Sequence, residues 1–147
     1  MKYLPLIALF LFSCSTEPLS EKYTPIIVNY SGYQNDVLDG VNNARAVNGL
    51  PILLPELILT QGAEIHCFYM DSLNIASHDY VQQRADNSKA KRFGEIVTVN
   101  YITPESQIGA ILGSAEHRLL LLGNYTHIGI YKKGSYLTID LAKYENN

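Results

Sequence analysis

Apolar positions along the chain change period several times, and each change marks an element. Val37, Val41, Ala44 and Val47 recur at helical spacing, with Asn35-Asp36 ahead of them as a cap and first-turn acid and Gly49 behind them as a stop. A second helical stripe steps through Leu59, Ala63, His66, Met70 and Leu73. It starts near Pro55-Glu56, where proline suits a first turn. Gly62 lowers helix propensity inside that stripe and leaves room for another element to come close. The polar stretch from Ile75 to Arg92 predicts at most a short helix around Tyr80 to Ala85.

From Phe93 to Tyr101 the period becomes two, with Glu95, Val97 and Val99 on one face. Thr103-Pro104-Glu105 opens another helix with Ile108, Ile111 and Leu112 inward, and a short helix after Ser114 carries Leu119 and Leu122. The chain ends in a hairpin, His127 to Lys132 and Tyr136 to Ala142, turned by Lys133-Gly134-Ser135. Helices in front, strands behind and one strand between helices make an α+β layered domain.

The first 14 residues stand apart. Lys2 precedes a short aliphatic run that ends at Leu11-Phe12-Ser13-Cys14. The run is too short to span a bilayer. It reads as a lipoprotein signal segment whose Cys14 becomes acylated, and more than one acyl chain holds a protein stably on a membrane. Ser15 to about Gln34 has no helical period and reads as a tether, with an extended piece at Ile26-Ile27-Val28. The division expected is therefore 1–14 signal segment, 15–35 tether and 36–143 folded domain. With Cys14 lipidated, Cys67 is the one cysteine left in the mature chain. It reads as a small buried apolar residue with no disulfide partner.

Composition narrows the partners. The chain is 47% hydrophobic and 17% charged, which is a globular balance. A net charge of −3 gives no footprint for nucleic acid. The expected partners are the membrane, through Cys14, and a ligand or protein that the residues do not name.

Five segments stand in an order that resembles the CAP superfamily, the group of SCP and YkwD-like proteins that includes cysteine-rich secretory proteins, antigen 5 and pathogenesis-related 1. Asn42-Asn43-Ala44-Arg45 with Asn48-Gly49-Leu50-Pro51 resembles the family's opening "N-x-x-R…G-L" signature. Leu57 through Met70 resembles its second helix, Ser77-His78 its "S-H" motif, and Gly94-Glu95 the start of "G-E-N". Ser114-Ala115-Glu116-His117-Arg118, followed by Asn124 to Ile130, resembles the "S-P-G-H-R…N-Y-x-x-I-G" stretch of the bacterial branch. The resemblance implies an α-β-α sandwich with a cleft holding two histidines and, in many members, two acids. His78, Glu95 and His117 match three of these positions. Ser114 stands where the fourth acid would be, and Ile96 replaces the asparagine of "G-E-N".

Three readings of His78, Glu95 and His117 follow from their chemistry. Two imidazoles and a carboxylate can hold a divalent metal, with zinc-like ions favoured over calcium-like ones. A carboxylate beside a histidine can orient it as a general base. The same groups can also form a satisfied hydrogen-bond network that pins strand to helices. Their spacing matches no metal motif. His66 reads as a packing or partly exposed position on its helix, His127 as near the surface, and Arg45 and Arg118 as anchors for helices or loops. Ser114 reads as a helix cap, and no G-x-S-x-G elbow supports a serine nucleophile at it or at Ser77. The expectation is an extracytoplasmic binding module, lipid-anchored at Cys14 to the membrane, in a bacterium the outer membrane. The alternatives are a metal-assisted or acid–base hydrolase using the same cleft, and a structural envelope protein.

Overall fold

A computed structural model describes residues 22–145. The signal segment, Cys14 and the first part of the expected tether lie outside the described residues. The elements are α1 (Gly32–Val47), β1 (Leu54–Pro55), α2 (Leu57–Leu73), α3 (Val81–Ser88), β2 (Arg92–Val99), α4 (Pro104–Gly113), α5 (Ala115–Leu121), β3 (His127–Lys133) and β4 (Tyr136–Lys143). The strands form one mixed sheet in the order β1-β3-β4-β2. The β1–β3 pair is parallel, and β3–β4 and β2–β4 are antiparallel.

Period-two alternation gives each sheet face its own core. Ile96, Ile128, Ile130, Leu137, Ile139 and Leu141 bury against Val37 and Val41 of α1, Ile111 of α4 and Leu121 of α5. The opposite face, including Thr138, Asp140 and Ala142, is also buried, because α2 lies on it. Gly129 permits that approach: a Cβ there would come within 2.2 Å of the Leu59 carbonyl carbon. Helices cover both faces, as the expected α-β-α sandwich requires. Cys67 is a free, fully buried thiol between α2 and the hairpin, 3.3 Å from the Thr138 hydroxyl, and burial pushes its pKa up.

Several local expectations need correction. Helix α1 starts at Gly32 with Ser31 as its N-cap, because Tyr33 packs on the core and holds an extra turn. Asn35 sits inside the helix and donates to Asp39 one turn on, at 3.1 Å. Pro55 belongs to β1, opposite Ile128, and Glu56 caps α2 by accepting from the Leu59 amide at 2.9 Å. The α2 stripe ends at Met70, and Leu73 is exposed next to the left-handed cap Asn74. Leu119 points to solvent, and Leu121 carries the burial of α5.

His127 is buried, not near the surface: its ring meets Tyr144 edge-on at 5.1 Å and its Nδ1 lies 2.8 Å from the Thr126 hydroxyl. The extended piece at Ile26 to Val28 makes an isolated β-bridge to the chain entering α2. Ile27 bridges Glu56, Val28 N–H donates to the Pro55 carbonyl at 3.0 Å, and Leu57 N–H donates to the Ile26 carbonyl at 2.9 Å. Arg45 is an anchor as expected. Its buried guanidinium donates to the carbonyls of Pro51, Leu121, Gly123 and Tyr125.

Candidate functional site

The polar centre lies on the α2 side of the sheet, where the α2–α3 loop passes over β2. Alternation along β2 turns Glu95 to this face, and its side chain is only 2% exposed. The loop is fixed from three directions. His66 Nε2 lies 2.8 Å from the Ser77 carbonyl, Tyr69 donates to Asp79 at 2.7 Å, and Arg84 donates to the Asp79 carbonyl at 2.9 Å. His78 is thereby held with Nδ1 2.7 Å from Glu95 Oε1, while its imidazole stays 60% exposed. A carboxylate acceptor requires the proton on Nδ1. Among the described residues, His78 Nε2 is therefore the nitrogen left free at the surface.

The other oxygen of Glu95 is also engaged. Arg84 forms an ion pair with Oε2, and His66 Nε2 lies 3.8 Å from it. The Arg84 guanidinium reaches on to Asp140, with Nε 3.6 Å from Oδ2. Asp140 is fully buried in the middle of β4, and neither of its oxygens has a hydrogen-bond donor among the described residues. Burial pushes its pKa up to about 7 against the opposing pull of Arg84. Burial, opposed by the Ser77 carbonyl and helped by Arg84, lowers the His66 pKa and keeps that ring neutral.

His117 is half-buried in the first turn of α5, which Ser114 caps by accepting from its amide at 3.4 Å. Burial, and after it the nearby His78, lowers its pKa. Among the described residues it makes no side-chain hydrogen bond to His78 or Glu95. The structure therefore joins His78 to Glu95 and leaves His117 beside the pair.

Scans against protein-family models and searches of curated proteins find no match. Solved structures do match. One is an extracellular protein containing an SCP domain from Bacillus anthracis, at TM-score 0.70 and 22% identity, over 74% of this chain and 39% of that one. An outer surface protein from Borrelia burgdorferi matches at TM-score 0.73 and 15% identity, over 83% of this chain and all of that one (100%). A cysteine-rich secretory protein from Staphylococcus aureus matches at TM-score 0.68 and 18% identity, over 78% and 40%.

The chain has the SCP, or CAP, fold. It spans 39% and 40% of the length of the Bacillus and Staphylococcus proteins and the whole of the Borrelia one.

Within this SCP-type domain, the donor set does not fit a resident divalent ion. Glu95 Oε1 is held by His78 and Oε2 by Arg84. Among the described residues, no group of three His, Cys, Asp or Glu side chains is placed to hold a metal. The cation beside Glu95 is the protein's own guanidinium. Sequence reasoning missed Arg84 because α3 (V-Q-Q-R-A-D-N-S) reads as a solvated polar helix. It also missed Asp140, although an acid between Ile139 and Leu141 in a strand covered on both faces was a signal. His66, read as a packing position, is 1% exposed and packs directly under the site.

Proposed function

We propose that this chain is a membrane-tethered, extracytoplasmic binding module, lipid-anchored through Cys14, in which the His78–Glu95 face recognises a ligand or partner without turning it over. The observation that carries the reading is the engagement of both Glu95 oxygens by His78 and Arg84, with one imidazole nitrogen left at the surface. Such a group is oriented for recognition. The tethering half rests on the Leu11-Phe12-Ser13-Cys14 sequence. It agrees with three neighbours whose names place them outside the cell or at its surface. Among the described residues, no helix is long and apolar enough to cross a membrane.

Two experiments test the two halves. A fatty-acid analogue should label the wild type and not Cys14→Ser, and the label should fractionate with the outer membrane in a double-membraned host. Equal labelling of both removes the anchor. A photo-crosslinking residue at Asp79, next to His78, should give a discrete adduct in intact cells that is lost in His78→Ala. An adduct unchanged in His78→Ala, or no adduct, leaves the structural envelope role.

A second reading has one observation in its favour. A carboxylate-oriented imidazole with a free Nε2 is the arrangement of a general base. Hydrolysis of an ester, phosphodiester or peptide substrate, abolished by His78→Ala, would replace the binding reading with an acid–base hydrolase.

A further inference from the structure

Beside Arg84, a cavity of about 560 Å³ opens between α2 and α3. That volume is in the range of small-molecule sites. Its walls are largely apolar, formed by Ile58, Leu59, Ile65, Tyr69, Tyr80 and Phe93. Ile65 and Tyr80, 70% and 61% exposed, line the cavity where it meets solvent. Neither His78 nor Glu95 lines the cavity.

Asp140 and Arg84 form its floor. The guanidinium is already engaged: one terminal nitrogen donates to the Asp79 carbonyl, the other meets Glu95, and Nε faces Asp140. By hydrogen-bond geometry only the nitrogen on Asp79 is bonded, while Nε and the other terminal nitrogen are held in ion pairs with Asp140 and Glu95, so an anion entering the cavity would compete with two carboxylates for one guanidinium. Asp140 is fully buried, and both its oxygens lack a hydrogen-bond donor among the described residues, with Arg84 Nε at 3.6 Å as an ion-pair contact only. Two carboxylates, Glu95 and Asp140, face one guanidinium here, so the cluster is short of one positive charge or one proton. Gly62 borders Asp140 without a side chain to cover it. A Cβ at that position would stand 3.1 Å from Asp140 Oδ2 and 3.4 Å from Arg84 Cδ.

We infer that this α2–α3 cavity is a second binding site, specific for small amphiphiles with a primary ammonium head that reaches Asp140 and an aliphatic or aromatic body that lies along Ile58, Ile65, Tyr69 and Phe93. A buried carboxylate without donors is strongly improved by a charged donor. Asp140 at the floor favours a cationic head over a carboxylate, and an uncharged hydroxyl would bring it a donor without a charge; Arg84 and Lys89 are the cations of the lining. Lys89, on the rim, sets the polar limit of the cavity.

The test uses the full-length chain carrying Cys14→Ser, titrated with n-hexylamine, n-hexanol and hexanoate by calorimetry and followed by amide NMR. Hexylamine should bind, with shifts centred on Gly62 and Asp140. Hexanol should bind at least tenfold more weakly and hexanoate not at all. Asp140→Asn should weaken hexylamine at least tenfold. Gly62→Ala, which raises helix propensity while its methyl fills the approach to Asp140, should do the same in a domain whose folding is verified by its spectrum. His78→Ala should leave hexylamine affinity unchanged, which separates this site from the His78–Glu95 face. Hexanol or hexanoate equal to hexylamine, no hexylamine binding, or full affinity in folded Gly62→Ala would each overturn the assignment.

Discussion

Two carboxylates lie buried along α2, and they are treated in opposite ways. Glu56, at the helix N-terminus, is fully buried, and donors are placed at both of its oxygens. Tyr23 donates to Oε1 at 2.5 Å, and the Leu59 amide donates to Oε2 at 2.9 Å with Tyr144 beyond at 3.5 Å. Burial, with the charge of Glu56, raises both phenol pKa values, so both tyrosines remain donors. Asp140, beside Gly62, is equally buried and has only a guanidinium nitrogen at 3.6 Å. The first carboxylate closes a structural joint among the segment ahead of α1, α2 and the residue after β4. The second is left underfilled at the bottom of a cavity, next to the pair formed by His78 and Glu95. Burial alone does not separate a fastener from a site, but the count of donors does.

The largest expected effect breaks the underfilled end. Arg84→Ala removes the one cation between Glu95 and Asp140 and leaves two buried carboxylates facing each other. The expected loss is about 3–5 kcal/mol in denaturant unfolding. A loss below about 1 kcal/mol would mean that solvent already screens the cluster, and the contrast with Glu56 would disappear.

This contrast also marks how much the chain alone could reveal. The alternation of Leu137, Ile139 and Leu141 gave the hairpin its face, and the ordered segments from Asn42 to Ile130 gave the sandwich. Both depend on local period and motif order, which a sequence displays directly. His78 and Glu95 were legible because short motifs carry them. Arg84 was not, because its role depends on α3 folding back over β2, and nothing within V-Q-Q-R-A-D-N-S encodes that contact. Leu119 and Leu73 were misread for a related reason: periodicity states that a face is apolar, not where the covering layer ends.

The second effect is spread over pH. Asp140 has a folded pKa of about 7 against a reference value of 3.8. Below about pH 4 both folded and unfolded forms are protonated, and the group costs nothing. As pH rises toward 7 the unfolded carboxyl ionises first, the native state holds the extra proton, and stability falls, levelling off above 7. The total fall is on the order of 4 kcal/mol. Asp140→Asn should flatten the stability profile between pH 4 and 7 in chemical unfolding, and an unchanged slope would assign the pH dependence elsewhere.

At the satisfied end the changes should be smaller. Tyr23→Phe strips Glu56 Oε1 of its phenol donor while keeping the ring against Tyr144, 5.0 Å between centroids. The expected cost is about 1.5–3 kcal/mol, the range for a hydrogen bond to a charged group. Thermal or denaturant unfolding reads it directly. A neutral result would show that Glu56 draws its support from the helix terminus alone.

Tyr144→Phe should cost least, and it sharpens the comparison most. Its hydroxyl stands 3.5 Å from Glu56 Oε2, at the outer limit of hydrogen bonding, and that oxygen keeps the Leu59 amide when the phenol is gone. The Tyr144 ring stays between Tyr23 and the edge-on His127, so packing is preserved. The expected loss is below about 1 kcal/mol, and it should stay the same when Tyr23→Phe is also present if each phenol serves its own oxygen. A double variant losing clearly more than the two single ones together would show that the tyrosines act as one unit on the carboxylate. Glu56 would then resemble Asp140 in depending on a shared, easily broken set of partners, and the count of donors would no longer distinguish the joint from the site.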